Sequence, residues 1–197
     1  MLSQDDVQFY LSVLRGVSAA DIFRLFKAAK TKKISAGEIY IHQQSNFQKM
    51  AYIKKGLIRA YQLKENGDEI TILLRWEGQF VASHDCVFAQ KPSRFIFQAM
   101  EDTILTEIDY NEALAVTDRH PVLVDYKINL LKDMLAQSVD RIESFILLSP
   151  TERYLKLIHE KPNIVNRVPD KYLSTYLGIT PVSLSRIRKR ITLAQTR

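Results

Sequence analysis

From Val124 to Phe145, residues recur at alternating steps of four and three: Val124, Ile128, Leu131, Leu135, Ser138, Ile142 and Phe145, all apolar except Ser138. This heptad seam demands one long helix, from about Pro121 to Leu148, with a continuous stripe along one side. A small β domain cannot bury such a seam, so the spacing predicts that it pairs with the same helix of a second copy, giving a homodimer. A second stripe, Leu123, Leu130 and Met134, is left to pack against its own chain.

Upstream the period is different. Gln4–Arg15 and Ala19–Lys30 read as amphipathic helices, and from Ile34 to Asp109 short β-rich runs follow. They are Ile39–Ile41, Ala51–Ile53, Leu57–Leu63, Glu69–Trp76, Phe95–Ala99 and Ile104–Ile108. Turn signals separate them: Ala36-Gly37, Lys55-Gly56, Asn66-Gly67-Asp68, Glu77-Gly78 and Lys91-Pro92. Many short strands with regular turns predict an antiparallel β-barrel or jelly roll, with Asn66-Gly67 as a hairpin. Downstream, Ser149-Pro150-Thr151-Glu152 is a capping box with proline in the first turn, so a new helix and a domain boundary are expected near Ser149. The fold class is therefore α+β: a domain over 1–148 that ends in the long helix (about 121–148), then an all-α domain over 149–197.

The segment Asp170–Arg190, DKYLSTYLGITPVSLSRIRKR, reads as two short helices meeting at a tight turn. Leu173 and Leu177 lie one turn apart, and Ser174 is small enough for a second helix to cross closely. Gly178 supplies a left-handed residue that ends the first helix without steric cost. Ile179 plugs the corner, Thr180 caps the next helix and Pro181 takes its first position. Leu184, Ile187 and Ile191 form the buried stripe of that helix. The spacing is that of a helix-turn-helix.

Charge agrees with this reading. The chain has 28 Lys and Arg against 22 Asp and Glu, but from Pro150 to Arg197 there are ten against three. A neutral body with a strongly basic end implies a polyanionic partner, double-stranded DNA ahead of an anionic membrane surface. The outward face of the second helix carries Pro181, Val182, Ser185, Arg186 and Lys189, flanked by Arg188 and Arg190. In this motif the start of the second helix enters the major groove. Arg186 is the expected base reader, since a guanidinium can donate two hydrogen bonds to guanine, and Val182 could meet a thymine methyl. Thr180, Ser183, Ser185, Arg188, Lys189 and Arg190 are expected at phosphates.

Other classes find less support. The N-terminus has early acids and no unbroken apolar stretch, so no signal peptide is read, and no run is long enough to span a membrane. The single cysteine, Cys86, excludes an internal disulfide framework, fits a reducing cytoplasm and cannot ligate an iron–sulfur cluster. Flanked by Val87 and Phe88, it reads as a buried thiol. A cupin-like metal enzyme would need converging histidines, but of His42, His84, His120 and His159 only the first two fall in the β region, and no His-x-His pair occurs. No nucleophile elbow, Walker loop or dinucleotide fingerprint is present, so no enzyme and no cofactor are read. A protein-interaction module on the same scaffold, without DNA binding, stays open.

Taken together, GEIYIHQQS, YIKKGLIRAYQLKENGDEITILLRWEGQF and YLGITPVSLSRIRKRI make the chain resemble the Crp/Fnr superfamily of bacterial regulators over nearly its whole length. The resemblance implies a cyclic-nucleotide-binding-like sensor, a dimerisation helix, promoter DNA as target with RNA polymerase as a further partner, and a cytoplasmic setting. The sequence departs from the family in two places. Where cyclic AMP binders carry Gly-Glu-Leu and then Arg-Ser, this chain has Ala82-Ser83-His84 and Ser93-Arg94. The ribose-binding carboxylate is missing and the arginine is shifted by one residue, which argues against cyclic AMP. Ser83, Ser93 and Arg94 are left as candidates to hold another, unidentified anionic effector. The stretch after Ile191 is also too short for a β-wing, as is the turn between Lys161 and Asp170, so DNA contact would rest on the second helix.

Overall fold

The apolar residues of the β region alternate because each strand has two different faces to satisfy. The computed structural model describes residues 17–195; the helix read over Gln4–Arg15 lies outside them. Helix α1 (Ala19–Ala28) leads into β1 (Lys30–Ile34), β2 (Ile39–Ile41), β3 (Lys49–Lys55), β4 (Ile58–Leu63) and β5 (Glu69–Arg75). Then come β6 (Phe80–Ala82), the single turn α2 (His84–Val87), β7 (Ile96–Ala99) and β8 (Thr103–Asp109). One sheet is ordered β1-β8-β3-β6 and the other β2-β7-β4-β5, with every pairing antiparallel. This is the strand order of a jelly roll, built as two four-stranded sheets packed face to face. Ile41, Ala51, Ile53, Ala60, Val81, Phe97 and Leu105 fill the space between them.

The intervening residues of the first sheet, among them Met50, Tyr52, Thr106 and Ile108, are only half-buried. They occupy the opposite face, toward α1, α3 (Tyr110–Thr117) and α4 (Pro121–Leu147). On α4, Leu123 is buried, and Leu130 and Met134 are half-buried on the side of the sheet. The seam residues Ile128, Leu131, Leu135, Ile142 and Phe145 are 40% to 65% exposed in the single chain, Ser138 is exposed and Val124 is half-buried. The two stripes of the helix therefore face different ways.

Beyond α4 come α5 (Pro150–Glu160), α6 (Ile164–Arg167), α7 (Asp170–Leu177) and α8 (Pro181–Gln195). Ser149 and Glu152 form the capping box read from the sequence, each side chain bonded to the other's backbone N–H. A second core joins these helices to the jelly roll: Leu57 and Leu74 pack with Leu157, Leu173, Leu177 and Leu184.

Several expectations change. The first described helix stops at Ala28 rather than Lys30, because Lys30 opens β1, an edge strand paired with β8 from Lys30↔Glu107 to Ile34↔Thr103. Neither β1 nor β6 was read from the sequence. The stretch between Lys161 and Asp170 is not a bare turn but contains α6, whose Ile164 is buried in the second core.

Candidate nucleic-acid interface and the sensor cassette

Helices α7 and α8 meet where the sequence placed the turn. Leu173, Ser174 and Leu177 bury one side of α7. Gly178 then takes φ +69°, a left-handed conformation that a side chain resists, and its N–H caps α7 by donating to the Ser174 and Thr175 carbonyls. A Cβ at this position would stand 2.6 Å from Cε1 of Phe145, so the Phe145 ring also needs a glycine here. Thr180 Oγ1 accepts from the Ser183 N–H at 3.1 Å and fixes the start of α8. Leu184 is fully buried and Ile187 nearly so, while Pro181, Val182, Ser185, Arg186, Lys189 and Arg190 are exposed. Ser183 is half-buried. Arg186, Lys189 and Arg190 make no ion pair with another described residue, so their charge stands open to solvent.

Arg188 departs from its expected place at a phosphate. Its guanidinium lies 2.7 Å from an Asp170 carboxylate oxygen, and it also donates to the Tyr154 hydroxyl at 3.2 Å and the Val165 carbonyl at 3.4 Å. It ties α8 to α5, α6 and α7, with Nε, Nη1 and Nη2 each engaged within the fold.

The reverse side of α7 is docked on β5 and β4. The Thr71 N–H donates to Thr175 Oγ1 at 3.1 Å, and the two threonine hydroxyls are 3.2 Å apart. Arg59, fully buried near the start of β4, stacks its guanidinium on Tyr61 at 3.9 Å and on Tyr172 at 3.4 Å. It donates to Gln98 and forms an ion pair with Glu69. Arg167 of α6 bridges Glu77 and Glu101, with its closest contacts at 2.7 Å and 2.6 Å. These hydrogen bonds, first Glu101 and then Glu77, raise its already high pKa further. Arg141 donates to the Tyr176 carbonyl at 2.9 Å and Arg153 to the Leu177 carbonyl at 3.1 Å, satisfying the end of α7. Sequence reasoning missed Arg59, Arg167 and Tyr172. The available signal was an arginine inside the apolar run Leu57–Leu63.

The candidates for an anion cassette do not converge on an open pocket. Ser83 and Ser93 are buried and joined by a 3.0 Å hydrogen bond between their hydroxyls, with Ser93 Oγ also 2.8 Å from the Phe95 carbonyl. The Arg94 side chain is 69% exposed and turned onto Asp85 at 3.0 Å. Its hydrogen bond holds the Asp85 carboxyl below the usual range. Ser83, Ser93 and Arg94, expected at an effector, form no open pocket together here: the serine hydroxyls bond to each other, and Arg94 pairs with Asp85. Cys86 is fully buried beside the Ser45 carbonyl at 3.3 Å. Among the described residues no group of three or more His, Cys, Asp or Glu is assembled for a metal ion, and no helix is long and apolar enough to cross a membrane.

Comparison with known proteins fits this geometry. Residues 31–120 match the cyclic nucleotide-binding domain family. No curated protein matches the chain. Among solved structures, FixK2 from Bradyrhizobium japonicum aligns with a TM-score of 0.75 at 13% identity, over 85% of this chain and 86% of that one. A transcriptional regulator of the Crp/Fnr family from Eubacterium rectale gives 0.74 at 16% identity, over 94% and 88%. A CooA variant from Carboxydothermus hydrogenoformans gives 0.70 at 17% identity, over 94% and 84%. At these identities the likeness establishes a shared fold.

Proposed function

We propose that this chain, which carries a cyclic nucleotide-binding domain and shares the fold of Crp/Fnr regulators, is a sequence-specific DNA-binding transcription regulator that acts in the cytoplasm as a homodimer. The observation that carries the reading is the open cationic face of α8. Arg186, Lys189 and Arg190 project, without ion-pair partners among the described residues, from a helix whose start is fixed by Thr180, while the opposite side is buried. In this reading α7 and α8 are a helix-turn-helix within a DNA-binding domain over 149–197, and α8 is the recognition helix. Arg186 reads a base edge, and Val182, 60% exposed, covers a neighbouring methyl. Thr180, Pro181, Ser183, Ser185, Lys189 and Arg190 lie against the backbone and set register. RNA polymerase is the further partner such a regulator would engage.

The exposed seam of α4 supplies the second half of the reading. A stripe from Val124 to Phe145 left open in the single chain is covered when two α4 helices pair about a two-fold axis. Two recognition helices would then meet half-sites about one helical turn apart, roughly 34–36 Å. The closed Ser83–Ser93 pair and the outward Arg94 argue against a cyclic nucleotide as effector. Selection of duplexes bound by the purified full chain from a random pool tests the reading. An inverted repeat with half-sites ten to eleven base pairs apart is expected (roughly one helical turn). A pool that stays random after enrichment would remove it in favour of an interaction module without DNA specificity.

A further inference from the structure

Behind the first sheet, on the face away from the jelly-roll core, a cavity of about 480 Å³ lies under α1, α3 and α4. Its walls include Met50 and Ile108 of the sheet, Phe80 at its edge, Leu114 of α3, and Leu130 and Met134 of α4. The volume falls in the range of about 300–1000 Å³ typical of small-molecule sites. Ser83, Ser93 and Arg94 do not line this cavity, although Ala82 and His84 on either side of Ser83 do.

The ionisable side chains of this wall, its tyrosines aside, are basic. Among the described residues no Asp or Glu lines the cavity, whereas Lys54, Arg75, Lys127 and His84 do. Lys127 is already paired with Asp118 at 2.6 Å. Arg75 is half-buried with no carboxylate partner among the described residues, and its guanidinium donates only a long hydrogen bond, 3.3 Å, to Gln137 of α4. A half-buried guanidinium with no counter-charge keeps donors free, and a carboxylate bound there would pair with them in bidentate geometry. An unsatisfied group is in the same wall: Thr106 Oγ1 is buried and has no hydrogen-bond partner among the described residues.

Resting on the reading of the chain as an effector-modulated regulator, we infer that this cavity is the effector site and takes an organic acid with an apolar body and one carboxylate, the carboxylate seated on Arg75. The site is wired to both functional surfaces. Leu130, Leu131 and Met134 of its wall belong to the helix that carries the exposed seam. Arg75 closes β5, whose Thr71 and Leu74 pack against α7.

The test is titration of the purified full chain with dodecanoate, 2-naphthoate and dodecanol, followed by the fluorescence of Trp76, the neighbour of Arg75. At least one carboxylate is expected to bind ten-fold or more tightly than dodecanol. Arg75→Gln should remove that preference while leaving dodecanol binding as it was. Leu130→Trp, which fills the cavity, should abolish binding of all three, with circular dichroism confirming that both variants are folded. If neither carboxylate binds, if dodecanol binds equally well, or if Leu130→Trp binds as the parent does, the inference is overturned. DNA selection on the same preparation separates the two claims. Loss of DNA preference with carboxylate binding intact removes the regulator, and intact DNA preference without carboxylate binding removes the effector site.

Discussion

The guanidinium of Arg59, in the second sheet of the jelly roll, lies 3.4 Å from the centre of the Tyr172 ring on α7. Its Nη1 has no hydrogen-bond partner among the described residues, so ring stacking adds to the Glu69 ion pair and the Gln98 hydrogen bonds in holding this buried charge. A desolvated cation–π contact is worth about 2 kcal/mol. A double-mutant cycle with Arg59→Met and Tyr172→Leu, read by urea unfolding, should give a coupling energy of about 2 kcal/mol. Additive effects of the two changes would show that the two parts of the chain are not joined here.

Gly178→Ala should destabilise the chain by about 1–3 kcal/mol, because the new side chain must hold a left-handed φ and displace the Phe145 ring. Combining it with Phe145→Leu should recover only the part due to the ring. Thermal unfolding of the two variants separates the contributions, and a neutral Gly178→Ala would contradict the turn described.

Leu135 and Ile142 are 65% and 60% exposed in the single chain. Aspartate at both positions should cost the isolated fold no more than about 0.5 kcal/mol each, yet place charges in the proposed seam. Light scattering should therefore show folded monomers. A dimer that survives both substitutions would require a different interface.

The Asp85 carboxyl is held below its ordinary pKa by the Arg94 hydrogen bond. A group whose folded pKa is depressed stabilises above its unfolded value, about 3.9, and loses that contribution as pH falls through the folded value. The urea midpoint of Asp85→Asn should lie below that of the parent by a constant amount from pH 8 to about 5. The gap should then narrow as the solution is acidified below about 4. A gap independent of pH would place the effect of the substitution elsewhere.

The parts legible in the sequence are those whose cause is local. Gly178, Thr180 and Pro181 fix the α7–α8 turn within a few residues, and Ser149 with Glu152 fixes the start of α5. The strands between glycine turns were legible because alternation records which face meets the other sheet. β1 was not, since Lys30-Thr31-Lys32-Lys33-Ile34 is an edge strand that buries only Ile34 and shows no alternation. The partner of Arg59 was not legible, because Tyr172 arrives from the far end of the chain. The pairing of Arg94 with Asp85, nine residues earlier, was likewise not read from the sequence. The cavity behind the first sheet had no sequence signature, because its walls come from helices and strands far apart in the chain.

The decisive measurement is the affinity of the full chain for a selected duplex and for every single-base-pair variant of it, repeated with Arg186→Ala and Lys189→Ala at two salt concentrations. Arg186→Ala should erase discrimination at one position per half-site, a loss of about 1–3 kcal/mol there, with the other positions unchanged. Lys189→Ala should weaken all duplexes alike and flatten the salt dependence by about one counterion per site. Uniform binding of every duplex by the parent chain, or a uniform loss in both variants, would contradict the reading of α8 as a helix that enters the major groove.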